Sequence, residues 1–190
     1  MRTRVSALVL AGLISLASCG GSSGDTAKPV PTAGPETGDL LVRGVVTRDD
    51  KPVAKAKVWL DLWPEDEDAE VGEIIDLWSS KAVTTDSDGR YGLRLDPQHL
   101  TSTYFNGDYL NFDLHVFSSG KSATWSSTVT LIERQLWRSD EQSLPGDPVV
   151  AMSLDLGKPS ITITNSNGDR EKGELTLFDL PESAVPTKAG

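Results

Sequence analysis

Two histidines, one cysteine and twenty-eight carboxylates are all that this 190-residue chain offers to nucleophilic or metal chemistry. Nucleophilic or metal catalysis needs histidine, cysteine or clustered carboxylates, and outside the carboxylates the chain has only His99, His115 and Cys19. No H-E-x-x-H pair and no phosphate-cradling glycine loop occur. The densest charge is the run Glu65-Asp66-Glu67-Asp68, followed by Glu70, Glu73 and Asp76. Carboxylate oxygens bind calcium, but calcium takes six to eight oxygens in a fixed shell, which adjacent acids without a glycine turn do not supply. A solvated acidic insertion between strands accounts better for these residues, so calcium is not favoured and no cofactor is expected. The second acidic turn, Asp86-Ser87-Asp88-Gly89, fails as a twelve-residue calcium loop. Placing its aspartates at positions three and five puts Leu95 at position twelve, where a bidentate Glu belongs. The weak metal candidates that remain are Glu67, Asp68, Asp113 and His115. A different chemistry is offered by Trp59, Asp61 and Trp63, two indoles flanking a carboxylate at a spacing of two. In a strand all three share one face, where aromatic rings can stack on sugar rings while the carboxylate accepts hydroxyl hydrogen bonds. Alternatively the 64 to 78 insertion or the C-terminal hairpin folds over these rings, and coverage is the expectation.

The elements that must position these residues are strands. Val58, Leu60 and Leu62 alternate with the tryptophans, and Leu110, Phe112, Leu114 and Val116 alternate with Asn111, Asp113 and His115 in what should be a central strand. His115 beside Asp113 reads as a surface hydrogen-bonding pair. Leu40, Val42, Gly44 and Val46 share a face, as do Trp125, Ser127, Val129 and Leu131, and Val150, Met152, Leu154 and Leu156. Trp125 is expected to fill the core. Ala82 to Leu95 reads as a β-hairpin hinged at Asp86 to Gly89, where the Asp caps its own turn and the Gly takes a positive φ. Ser160 to Thr164 and Glu174 to Phe178 read as a last hairpin. Pro97 to Thr101 could make one helical turn, and Leu131 to Arg138, with Trp137, is ambiguous. The pattern predicts an all-β, antiparallel sandwich of seven to nine strands over residues 39–180, with one acidic insertion and a disordered tail at 181–190.

The order G-x-V (Gly44, Val46), P-V-x-x-A-x-V-x-L (Pro52 to Leu60) and T-D-x-D-G-x-Y (Thr85 to Tyr91) resembles the carboxypeptidase regulatory-like domains, β-sandwiches of the transthyretin-like and starch-binding-like type. The resemblance spans about a third of the chain and implies an accessory, non-catalytic module. Intradiol ring-cleaving dioxygenases share this pattern, and their iron is held by two Tyr and two His. Asp113-Leu114-His115 falls where their H-x-H pair would sit, with Tyr104 and Tyr109 nearby, but Asp113 replaces the first His, so a degenerate metal protein is a remote alternative.

The N-terminus supplies an address. Arg2 and Arg4 precede an apolar run from Val5 to Ala17, too short for the roughly 20 residues that span a bilayer. Leu16-Ala17-Ser18-Cys19 resembles the bacterial lipobox, which implies cleavage between Ser18 and Cys19 and acylation of the Cys19 sulfur. As the only cysteine, Cys19 has no disulfide partner, whereas a lipidated one has a use. Residues 1–18 then form a lipoprotein signal peptide. Residues 19–38 form a lipidated Cys and a flexible Gly/Ser/Pro tether of ~25 Å mean span. Removing 1–18 leaves sixteen basic against twenty-eight acidic residues, a formal charge of -12, which repels nucleic acid and anionic lipid. The sequence thus predicts an extracytoplasmic, membrane-anchored binding or scaffolding module, at the cell surface or in the periplasm. Its partners would be the bilayer through Cys19, cell-wall polysaccharide or another envelope protein, and the alternative is a carbohydrate-binding module using Trp59, Asp61 and Trp63.

Overall fold

A computed structural model describes residues 38–65, 75–136, 149–165 and 168–190. Alternating side chains here demand partners on one face only, and the chain meets that demand by stacking two sheets. Its strands are β1 (Asp39–Arg48), β2 (Lys51–Pro52), β3 (Lys57–Leu62), β4 (Trp78–Ser79), β5 (Val83–Thr84), β6 (Arg90–Leu95), β7 (Tyr109–Ser118), β8 (Lys121–Ile132), β9 (Gln135–Leu136), β10 (Val150–Asp155), β11 (Ser160–Asn165), β12 (Arg170–Glu174) and β13 (Thr176–Asp179). One sheet runs β12-β11-β10-β1, with β2 and β6 paired to β1. The other runs β13-β8-β7-β3, with β4 and β5 paired to β3 and β9 to β8. Every described pairing is antiparallel except β1 with β10, where Val42 lies against Val150 and Val46 against Leu154. The two inner faces meet in one core around Val42, Leu93, Val58, Leu60, Phe112 and Leu114, all fully enclosed. The all-β sandwich is therefore as the alternation predicts, and β7 is central between β3 and β8. A register shift between Leu40 and Val42 buries Leu41 as well, which strict alternation does not anticipate. Among the described residues no helix is long and apolar enough to cross a membrane.

The turn at Asp86 to Gly89 closes as its residue types require. The Asp86 Oδ1 accepts the N–H of Asp88 at 2.9 Å and of Arg90 at 2.8 Å, and Gly89 takes φ +73°. Its arms do not pair with each other, however: β5 joins β3 in one sheet and β6 joins β1 in the other. The expected hairpin is a corner that carries the chain between sheets. Thr85 fixes it, its hydroxyl donating to the Val53 carbonyl at 2.7 Å and accepting the Ala56 N–H at 2.9 Å, while Val46 N–H donates to the Gly89 carbonyl at 2.8 Å. Gly44 has a related role. A Cβ there would collide with the Met152 carbonyl oxygen, the same oxygen that accepts the buried Tyr91 hydroxyl at 2.6 Å from across β1.

A second clamp joins the chain's two halves. The Asp155 carboxylate accepts backbone N–H groups from Asp49 (3.0 Å), Asp50 (3.2 Å), Gly157 (2.9 Å) and Lys158 (3.3 Å), tying the β1–β2 turn to the β10–β11 turn. Slight burial would raise its pKa, but these four donors outweigh it and hold the carboxyl below its ordinary value.

The C-terminal half departs from expectation in its last hairpin and its tail. The last hairpin forms between β11 and β12, and the chain then crosses at Leu175 so that β13 pairs with β8 in the opposite sheet. The ambiguous segment contains a β8–β9 hairpin turning at Glu133 and Arg134, both at positive φ, while Trp137 lies outside the described residues. The 181–190 segment, expected to be a disordered tail, runs beside 79–82, with Ala82 N–H donating to the Pro186 carbonyl and Ser79 and Gly190 exchanging backbone bonds. Trp125 is partly buried against the core edge, where only a glycine at position 173 leaves room for its ring.

Gly89→Val places a β-branched residue at positive φ against the Val46 carbonyl, at a cost of at least about 1 to 3 kcal/mol. A melting temperature lowered by at least about 4 °C is expected, and one equal to wild type would show that the corner does not need this conformation.

Candidate functional site

The face of the β13-β8-β7-β3 sheet turned away from the core carries Trp59, Asp61, Asp113 and His115 of the residues that the sequence singles out, with Trp63 at the exit of β3. Period two places Trp59, Asp61 and Trp63 outward on β3 and its exit, and registers Trp59 against His115 and Asp61 against Asp113 on β7. On β8, Thr124 lies opposite His115 and Ser126 opposite Asp113. The face divides into a locked half and an open half.

In the locked half Trp59 is only 3% exposed. Its ring stacks on the His115 imidazole with centroids 5.0 Å apart and planes at 8°, and Phe178 of β13 meets that imidazole edge-on at 6.3 Å. The crossing of β13 thus puts a ring of the C-terminal strand beside the stack, so Trp59 is no exposed platform. His115 Nε2 lies 3.0 Å from Asp61 Oδ2, an ion-pair distance with the N–H poorly aligned to the oxygen, and the Ser79 hydroxyl donates to Asp61 Oδ1 at 2.7 Å. The expected His115–Asp113 surface pair is therefore replaced by a mostly enclosed His115–Asp61 pair, because the registered strand offers His115 a carboxylate two residues along from Trp59, on the same face. Burial pushes the Asp61 pKa up, but the adjacent His115 imidazole and the Ser79 and Trp59 hydrogen bonds together outweigh it and hold the carboxyl below its ordinary value.

In the open half Trp63 is 37% exposed and Tyr109, at the start of β7, 50%. Trp63, Asn111, Asp113, Ser126 and Thr128 line a cleft of about 340 Å³. The Thr128 hydroxyl donates to Asn111 Oδ1 at 2.9 Å, which aims the amide of Asn111. Asp113 is 9% exposed, and its Oδ1 has no hydrogen-bond partner among the described residues. Thr124 Oγ1 and His115 Nδ1 are likewise buried without partners. An unsatisfied buried carboxylate oxygen costs about 1 to 3 kcal/mol or more, so a side chain kept in this state is a natural place to look for a ligand donor.

The sequence pattern alone marks Trp59, Asp61 and Trp63 as one group, whereas the fold separates Trp63 from the other two. Asn111, Ser126 and Thr128 are missed as site residues, and the outward parity of β7 and β8 was the available signal. No trio of His, Cys, Asp or Glu able to hold a metal occurs among the described residues. Ser18, Cys19, Glu67 and Asp68 lie outside them. Comparison with family models, with curated proteins and with solved structures returns no match.

Trp59→Ala should destabilise the protein by ~3 to 5 kcal/mol, as expected for deleting an enclosed ring, while Trp63→Ala stays within ~1 kcal/mol in the same denaturant titration. Equal effects would mean that the face is not divided as described. Because folding lowers the Asp61 pKa, its stabilisation is present above the unfolded value near 3.8 and is lost as pH falls through the folded one. Asp61→Asn should therefore flatten the decline of melting temperature below about pH 4, and an unaltered acid limb would contradict the pairing.

Proposed function

We propose that this chain is a lipid-anchored, extracytoplasmic binding or scaffolding module with no catalytic step of its own. The observation that carries the reading is the locked half of the outer face. His115 is stacked under Trp59, with both ring nitrogens enclosed, so it is poorly placed to exchange protons with a substrate, and the other histidine, His99, lies away from this face in a local exposed pair with Asp96 at 2.7 Å. The same enclosure disfavours the degenerate dioxygenase reading, since His115 is committed to Asp61 and Asp113 stands in place of a second imidazole. Support for the carboxypeptidase regulatory-like resemblance comes from the corner. Gly44, Val46, Pro52 to Ala56 and Thr85 to Tyr91, which carry the pattern, converge there in one backbone network.

The anchor rests on Cys19 as sole cysteine after a short apolar run. Two or three acyl chains, each buried methylene adding ~0.8 kcal/mol, hold a domain firmly to a bilayer, and the tether spaces it from the surface. A carbohydrate-binding reading is favoured as a second level of the same proposal by the open cleft. Trp59 and Asp61 leave that reading, because they are engaged with His115, and Trp63 stays.

Cys19→Ser removes the sulfur nucleophile on which acylation depends. Metabolic labelling with fatty acid should mark the wild type and not the variant, and the variant should leave the membrane fraction. A labelled, membrane-held variant would end the lipoprotein reading.

A further inference from the structure

We propose that the cleft between Trp63 and Asp113 is a binding site for an uncharged glycan, with its polar contacts supplied by β7 and β8. The inference rests on the binding-module reading above and gives it a ligand class. Four observations lead to it. The half-exposed Trp63 stands at one wall of the cleft, where its apolar face can stack on the C–H face of a pyranose ring. Asn111, Ser126 and Thr128 bring to the same cleft an amide and two hydroxyls, groups that both donate to and accept from sugar hydroxyls. Asp113 adds a carboxylate whose Oδ1 finds no donor among the described residues, and a sugar hydroxyl is a donor of the right kind. No Lys or Arg among the described residues lines the cleft, Asp61 lies directly across from Asp113, and the processed chain carries a formal charge of -12. That field opposes uronates, phosphates and sulfates and leaves uncharged sugars as the class that fits.

The dimensions agree. A cleft of about 340 Å³ is at the small end of ordinary ligand sites, which run from ~300 to 1,000 Å³, and holds about two sugar rings at most. It is open at the sheet surface, so a longer chain can continue past it. Tyr109 shares the outward parity of Asn111 and Asp113 and lies two residues further along β7, which offers a second exposed ring in the direction a glycan would run. Trp59 contributes differently. By occupying His115 and Asp61 it keeps the neighbouring polar groups out of the cleft, so that Asp113 is the carboxylate left to the ligand.

The test is affinity electrophoresis of the full chain, held in a zwitterionic detergent that contains no sugar. The gels carry amylose, xylan, a soluble β-1,3-glucan or polygalacturonate. Retardation by at least one uncharged polysaccharide is expected, with none by polygalacturonate. Trp63→Ala and Asp113→Asn should each weaken it about tenfold or more, and Leu177→Ala, an exposed apolar residue on β13, should leave it unchanged. Circular dichroism on each variant separates lost binding from lost folding, and Asp113→Asn keeps the side-chain shape. If no uncharged glycan retards the wild type, or if folded Trp63→Ala migrates as wild type does, the assignment is overturned. Preferential retardation by polygalacturonate overturns it too. None of these results touches the lipidation experiment, so the glycan assignment can fail while the anchored module stands, and the reverse.

Discussion

Two stacked sheets made from one chain need strands that leave one hydrogen-bonded ladder and enter the other without stranding backbone donors and acceptors in the core. Thr85 to Gly89 is where this chain meets that constraint. The Thr85 side chain supplies a donor and an acceptor to the turn between β2 and β3, Asp86 caps its own turn, and the Gly89 carbonyl receives the Val46 N–H of β1. The Thr85 hydroxyl is buried and would cost roughly 1 to 3 kcal/mol if left unpaired. The corner therefore sets the position of β3 relative to β1, and with it which residues of β3 face outward. Gly44 and Tyr91 extend the same constraint one strand further, because the hydroxyl reaches the Met152 carbonyl only where β1 lacks a Cβ.

Period-two alternation is a statement about faces, and Leu110 to Val116, Val58 to Leu62 and Met152 to Leu154 are buried as their spacing requires, while the register shift at Leu41 breaks it on β1. Partners are another matter. Nothing in the alternation of residues 82–95 or 160–178 says which sheet a strand joins, and both apparent hairpins were split between sheets for that reason. The parallel pairing of β1 with β10 joins residues about a hundred positions apart and leaves no local mark. Turn chemistry was legible because it is local, as at Asp86 and Gly89.

The candidate site was half legible for the same reason. Alternation places Trp59, Asp61 and Trp63 outward, but an outward residue is exposed only if no neighbouring side chain on the same face lies against it. Phe178 arrives because β13 crosses sheets, and the register of β7 sets an imidazole under Trp59. Both depend on contacts distant in sequence. Asn111, Ser126 and Thr128 are ordinary strand residues in the sequence and become a cleft wall only when β7 and β8 pair.

The division of the outer face follows from a charge problem. Registering Asp61 against Asp113 puts two carboxylates directly opposite on neighbouring strands, an arrangement that disfavours folding when both are ionised. One of them is relieved within the protein: Asp61 gains His115, Ser79 and the Trp59 indole, and the aromatic stack encloses that solution. The same imidazole cannot serve both carboxylates. Its Nε2 is drawn to Asp61 and its plane is held flat beneath Trp59, so Asp113 keeps an oxygen with no donor. Natural sandwiches satisfy nearly all buried polar atoms, and departures from that rule concentrate where a site needs a group held ready. The locked half is thus the reason the open half has an acceptor to offer.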